Sequence, residues 1–328
     1  FLDVQVNGFG GIDLSSASTD EWFHANRLLA NTGVTSYLAN IISNDATAID
    51  RILLVAEDVC RQDYAAASHL LGLHLEGPFL APVKAGIHSR EFLTDPTPDL
   101  FAKWCELGPV VMTTIAPELP GALQLIREAA TSGVVVSLGH SNCTAEEAQL
   151  GFEAGAATVT HIFNAMAAVS ARAPGLAGMA LSREEVWLQL ILDFVHVDQT
   201  LAKVLISLAP QRLILVTDCL PATGTSGTSF ALGGTGLQWL DGKAVNSEGT
   251  LAGSVLTMDQ ALRNAVSLGM SEIDAVNATS LNPMRLLDPL SQGPLNPGMP
   301  ADVIVLNDNL EIVDVLCKGA TFSRQEVV

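Results

Sequence analysis

The 328 residues are 48% hydrophobic and 16% charged, enough for a large core. No run of about 18 uncharged apolar residues occurs, so no membrane span is expected. A formal net charge of −19 argues against a nucleic-acid partner, which needs a basic footprint, and means that an anionic substrate would require local positive groups.

In chain order, no basic stretch leads into an apolar one at the start, so no signal peptide is expected, and Phe1 in first place leaves room for residues upstream. Short β-rich apolar runs follow at 2–6, 35–39, 70–75, 110–115, 134–138, 158–162, 188–194 and 213–217. Several are continuously apolar, as strands buried on both faces should be. Helical patterns such as "DEWFHANRLLANTG", "TAIDRILLVAEDVC" and "DQTLAKVLISLAP" lie between them. At "NTGVTS", "ELGPVV", "TSGVVV" and "EAGAAT" a glycine stands where a helix should stop. "TAEE" at 144–147 offers a capping box before the next helix. Strands alternating with helices in this number predict an α/β chain with a (β/α)8 TIM-type barrel, and no G-x-G-x-x-G follows the first strand to favour a doubly wound sheet. After Asp218, "PATGTSGTSFALGGTG" reads as a loop, "LQWL" and "KAVN" as short strands, and 255–268 and 271–287 as helices. The tail, with turn signals at "NDN" and "CKG", reads as a small β-sheet outside the barrel. The expected division is a catalytic barrel over 1–295 and a small C-terminal β appendage over 296–328. The five cysteines, Cys60, Cys105, Cys143, Cys219 and Cys317, show no C-x-x-C pair and suit reduced thiols in a cytoplasmic protein.

Polar and titratable residues recur where these runs end. The first run carries Gln5 and Asn7, the second reaches Asn40, and the third ends at Glu76 in "LGLHLEGPFL". The fourth leads to Thr114 and Glu118, the fifth to His140, the sixth to His161, the seventh to His196 and the eighth to Asp218. Barrel enzymes place their chemistry at these strand ends. One histidine there reads as a satisfied core residue; three, with two carboxylates, read as a site. A buried carboxylate such as Glu76 needs a partner or a metal. Glu76, His140 and His161 make a His2Glu set with an open position, the pattern of catalytic zinc, which acidifies water and polarises a carbonyl. Asp218 is then the spare carboxylate, placed to shuttle a proton; its other reading is an N-cap or salt-bridge acid. His74 shares the strand face of Glu76 and suits a supporting role better than that of a ligand. His88 in "KAGIHSR" reads as a surface histidine on composition alone. Cys143 and Cys219 read as small apolar fillers beside the site.

Together, "DVQVNGFGG", "HLEGPFL", "GHSNCTAEEA", "THIFNAM", "LVTDCLPATG" and "EGTLAGSVLTM" resemble the N-acetylglucosamine-6-phosphate deacetylases of the amidohydrolase superfamily. The resemblance runs from Asp3 to "PGMPADVIVL" and is carried by the combination of segments. It implies hydrolysis of the N-acetyl group of N-acetylglucosamine 6-phosphate to glucosamine 6-phosphate and acetate. It implies Glu76, His140 and His161 as ligands of one divalent metal, zinc before iron or another divalent ion. Asp218 becomes the catalytic acid/base, and His88 the group that polarises the acetyl carbonyl, against its surface reading. Asn164, Ala165, Arg172 and His196 match positions that hold the sugar phosphate. Arg172, a guanidinium suited to phosphate, acts in its own subunit or across a dimer interface. The chain departs from the pattern in three places. Gln5-Val6-Asn7 stands where many superfamily members have H-x-H, which argues against a second metal. Phe194 in "LDFVH" replaces a more usual glycine-containing segment and is expected to narrow the pocket. The family's stretch before the first barrel strand, the N-terminal half of a small β-sandwich, is absent here, which would leave the C-terminal sheet uncovered and favour a homodimer. The alternatives are a deacetylase of another N-acyl sugar or N-acyl amino acid, and a non-catalytic carbohydrate-binding remnant.

Overall fold

Eight of the apolar runs pair side by side as parallel strands: β1 (Leu2–Val6), β2 (Ser36–Ile42), β3 (His69–Glu76), β4 (Val110–Ile115), β5 (Val135–Leu138), β6 (Thr158–Val159), β7 (Trp187–Ile191) and β8 (Leu213–Val216). The structure is a computed structural model and describes residues 1–62, 64, 66–227, 229–240, 243–291, 293 and 295–321. Each strand pairs with the next in sequence. The ring is brought together between β8 and β1. Val6 bridges Cys219, the Asn7 and Gly8 N–H groups donate to the Cys219 carbonyl at 3.0 and 3.2 Å, and Thr217 Oγ1 donates to Asp3 Oδ2 at 2.5 Å. Helices follow the strands and pack apolar faces on them, as in Ile49, Ile52, Leu53 and Ala56 of the helix Ala46–Arg61. The fold is therefore the expected (β/α)8 barrel.

The lumen is partly polar. Thr114 Oγ1 on β4 lies 2.7 Å from Thr160 Oγ1 after β6, two strands that are not neighbours, so the bond crosses the interior. Ser137 on β5 and His74 on β3 join the same chain at 2.5 and 2.7 Å. Burial pushes His74 down to about 4, so it stays neutral and supports the lumen.

Where the elements differ from the sequence reading, the local backbone supplies the reason. β6 stops at Val159 because His161 turns to φ 31°. β7 stops at Ile191 before Phe194, at φ 63°. Gly33, Gly133 and Gly155 take the left-handed φ of helix stops, but Gly108 is extended, as suits a residue before Pro109. The pattern at 271–287 is two helices, Glu272–Thr279 and Leu281–Leu287, separated at Ser280; Pro283 fits the first turn of the second and could not continue the first. Part of the expected loop after Asp218 is a strand. β9 (Ser229–Leu232) pairs with β10 (Thr235–Leu240) through a two-residue Gly233–Gly234 turn, both at positive φ, and β10 pairs with β11 (Lys243–Val245). This small sheet packs Leu232, Leu237 and Ala244 on Ile42, Leu220 and Ala252 over the barrel mouth.

At the other end, β12 (Val303–Leu306), β13 (Ile312–Cys317) and β14 (Ala320–Thr321) form an antiparallel sheet. Ile312, Val315 and Cys317 join the main core, while Val305 and Val313 face outward, so one side is covered and the other open. An apolar cavity of about 450 Å³ lies between this sheet, Phe1, Leu2 and the helix Leu281–Leu287.

Gly139 shows how tightly the lumen is filled. A Cβ there would sit 2.9 Å from both Thr114 Cγ2 and Thr160 Cβ. Gly139→Ala should therefore lower unfolding stability by about 1–3 kcal/mol, the usual cost of overpacking; an unchanged urea midpoint would show that the polar lumen yields freely.

Candidate functional site

Glu76 is the last residue of β3, His140 follows β5, His161 follows β6 and Asp218 follows β8. All four are buried and line one cavity of about 300 Å³ at the C-terminal mouth. His140, His161 and Asp218 take left-handed φ values of 47°, 31° and 49°. Such a conformation costs a residue with a side chain about 1–3 kcal/mol, and its recurrence at the ends of β5, β6 and β8, all at one mouth of the barrel, points to a functional rim.

Glu76 Oε1 lies 3.1 Å from His140 Nε2 and 3.0 Å from His161 Nε2, and the two Nε2 atoms are 3.2 Å apart. Three ligands of a tetrahedral zinc, each at about 2.0–2.1 Å, would be separated by roughly 3.3 Å. His140 Nδ1 donates to the Lys84 carbonyl at 2.8 Å, which leaves the Nε2 lone pair toward Glu76 and His161. Among the described residues, this is the group of three His, Cys, Asp or Glu side chains suited to a metal ion. Burial opposes the charge on Glu76, but its bonds to His140 and His161 hold it well below the usual carboxylate range. Burial likewise opposes the charge on His161, and Glu76 overcomes it and raises that histidine. Gln5 Nε2 approaches Glu76 Oε1 at 3.3 Å. Gln5 and Asn7 are thus amide donors to carboxylates, where a histidine pair would have been metal ligands. Cys143 and Cys219 are buried thiols outside this group, and burial raises both.

Asp218 receives Asn7 Nδ2 at Oδ1, 2.7 Å away. Burial, followed by the charge of Glu76, pushes it up to about 6. His88 is buried, not at the surface. The Ser43 N–H donates to His88 Nδ1 at 3.2 Å, so the proton sits on Nε2, which is 3.9 Å from Glu76 Oε2. Burial and the neighbouring His140 hold His88 down at about 3, a neutral donor. His196 faces acceptors on both nitrogens, with Asp193 Oδ2 2.7 Å from Nδ1 and the Ala252 carbonyl 2.9 Å from Nε2. Burial disfavours its charge, but Asp193 outweighs that and raises it, which favours the protonated ring that can donate to both acceptors.

Asn164 and Ala165 line the same cavity. Arg172 does not; it is exposed in the loop after them. Phe194 does not narrow this cavity either, since it lines a neighbouring one of about 430 Å³ beyond His196, beside Trp239 and Lys243. Several wall residues were missed from sequence: Lys84, Leu232, Leu251, Ala252 and Gly253. At Gly253 the fold supplies the reason for glycine, since a Cβ there would lie 2.3 Å from the Asp218 carbonyl oxygen. The Gly-Gly turn inside alternating apolar residues would have revealed the strand carrying Leu232.

The sequence is 31% identical to the N-acetylglucosamine-6-phosphate deacetylase of Lysinibacillus sphaericus, covering 97% of this chain and 83% of that protein. It is also 31% identical to the N-acetylgalactosamine-6-phosphate deacetylase of Escherichia coli O157:H7, covering 97% and 85%. Among solved structures, a mutant N-acetyl-D-glucosamine-6-phosphate deacetylase from Mycobacterium smegmatis, in complex with N-acetyl-D-glucosamine-6-phosphate, superposes with a TM-score of 0.92 at 32% identity, over 98% of this chain and 85% of that one. The model of the amidohydrolase family matches residues 21–321, and with that match spanning most of the barrel and its rim, the chain belongs to the amidohydrolase family.

Proposed function

We propose that this chain removes the acetyl group of N-acetylglucosamine 6-phosphate by metal-dependent hydrolysis, releasing glucosamine 6-phosphate and acetate. The observation that carries the reading is the convergence of Glu76, His140 and His161 within 3.2 Å of one another, in a cavity that Asp218 and His88 also line. Those three side chains would hold one divalent ion, zinc in the first place and iron or another divalent metal otherwise. Bound there, it would supply Lewis acidity to the acetyl carbonyl and to water.

The chain's own residues do the rest. Asp218, with Oδ1 tied to Asn7, keeps Oδ2 for taking the proton of the attacking water and returning it to the leaving amine. His88 offers its Nε2–H to the acetyl oxygen, a fixed donor where negative charge develops. His196, charged through Asp193, gives the phosphorylated sugar a positive wall in an acidic protein, and Asn164 and Ala165 form the adjacent surface. Arg172, exposed and off its own cavity, fits a homodimer in which it reaches the phosphate held by the partner. The five unpaired cysteines suit a reducing, cytoplasmic setting, and among the described residues no helix is long and apolar enough to cross a membrane. A second reading, the galacto epimer of the same substrate, is favoured by the similarity to the Escherichia coli enzyme.

Asp218→Asn keeps the shape and the Asn7 contact but cannot carry a proton. It should retain metal and lose about 10²–10⁴-fold in kcat for acetate release; turnover within a few-fold of the parent would make Asp218 a structural acid.

Arg172→Ala should lower kcat/KM for the phosphorylated sugar by about 10–100-fold, a charged hydrogen bond's worth, and spare unphosphorylated N-acetylglucosamine. Mixing it with Asp218→Asn tests the dimer: hybrid dimers carrying one intact site should regain activity, whereas a mixture no better than its parts would place Arg172 in its own subunit.

A further inference from the structure

Asn40 sits on β2 among Leu38, Ala39, Ile41 and Ile42, fully buried, and plays no part in the reaction as described above. Its Nδ2 lies 2.6 Å from Glu76 Oε2 and 2.9 Å from Asn7 Oδ1. Asn7 Nδ2 lies 2.7 Å from Asp218 Oδ1. One continuous amide chain therefore links the carboxylate of the triad to the carboxylate opposite it.

The chemistry gives this chain one direction. An ionised Glu76 can only accept, so Asn40 must turn its NH2 group toward it. That nitrogen has two hydrogens, and the second goes to the Asn7 oxygen. With its oxygen taken, Asn7 has only its NH2 group for Asp218. Turned over, Asn7 would set donor against donor at Asn40 and acceptor against acceptor at Asp218. Asn40 Oδ1, meanwhile, is buried with no hydrogen-bond partner. An orphaned buried acceptor is unfavourable, and the rest of the strand around it is apolar. The two donated bonds are what an amide offers there that an apolar residue would not.

We propose that Asn40 is a positioning residue for the deacetylation: it fixes which way the Asn7 amide faces and, through Asn7, the orientation of the Asp218 carboxylate. This rests on the reading of Asp218 as the proton shuttle. Asn40 itself touches neither substrate nor reacting atoms.

The test uses Asn40→Ala, the volume-filling Asn40→Leu, Asn7→Ala and the Asn40→Ala/Asn7→Ala double variant, each loaded with zinc and assayed on N-acetylglucosamine 6-phosphate. Both Asn40 variants should lose roughly 10–100-fold in kcat, part of the full general-base effect, with KM within about threefold and one zinc retained per chain. The double variant should be no slower than Asn7→Ala alone, since both changes act through one amide. A kcat within twofold of the parent, losses that multiply in the double variant, or zinc lost in step with activity would each overturn the proposal, the last by showing that Asn40 serves Glu76 instead. A crystal structure of metal-free Asn40→Leu reads the same claim without activity. The Asn7 and Asp218 side chains should move apart there, and a contact kept at 2.7 Å would refute the proposal. Absence of acetate release from the parent would remove the proposed reaction, and that crystal structure would still decide the role of Asn40.

Discussion

A carboxylate buried at the mouth of the barrel is the constraint around which the site is arranged. Glu76 is 3% exposed, in a chain where few charges are buried at all. Left alone it would take up a proton or unfold the strand end. It is instead held among polar partners: His161 and Gln5 donate to one oxygen, beside His140 Nε2, and Asn40 donates to the other. Removing one partner of such a buried charge typically costs about 3–5 kcal/mol. The same crowding of ring nitrogens and carboxylate oxygen that keeps Glu76 ionised is the spacing a small divalent cation requires.

The barrel makes this crowding possible. Parallel strands deliver one residue each to a common rim, and the left-handed turns at His140, His161 and Asp218 break the strands where those residues stand. Bonds across the lumen from Thr114, Ser137 and Thr160 stiffen the interior directly beneath them. The closure of β8 on β1 joins Asp3 to Thr217 and Asn7 to Asp218, so the first strand holds the last functional residue in place. Backbone strain at the rim is sustained by packing below it, and the electrostatics of the rim follow from what that packing buries.

Much of this was readable in advance, for physical reasons. Short apolar-rich runs flanked by turn signals and helical patterns mark the strands, so β1 and β4 were bounded to the residue and the remaining barrel strands to within a few. Metal-ligand types at three strand ends stood out because the chain spends so few charges. What stayed hidden depends on side-chain direction in three dimensions. His88 looks like a surface residue on composition alone, and only the family resemblance put it in the site; in the fold Ser43 draws it inward and fixes its tautomer. Phe194 looked like a pocket wall, and its left-handed backbone sends it to the neighbouring cavity. Asn40 looked like one more polar strand end; only its two distances show that it points Asn7 at Asp218. The strand at Ser229–Leu232 was masked by the glycine and serine content of its flanks.

The central claim is that Glu76, His140 and His161 form one metal centre that drives amide hydrolysis. It is tested most directly by titrating metal-free protein with Zn²⁺ while following acetate release from N-acetylglucosamine 6-phosphate. Activity should be absent at the start, rise linearly and break at one equivalent per chain. Full activity without metal, a break at two equivalents, or no acetate at any metal loading would contradict it.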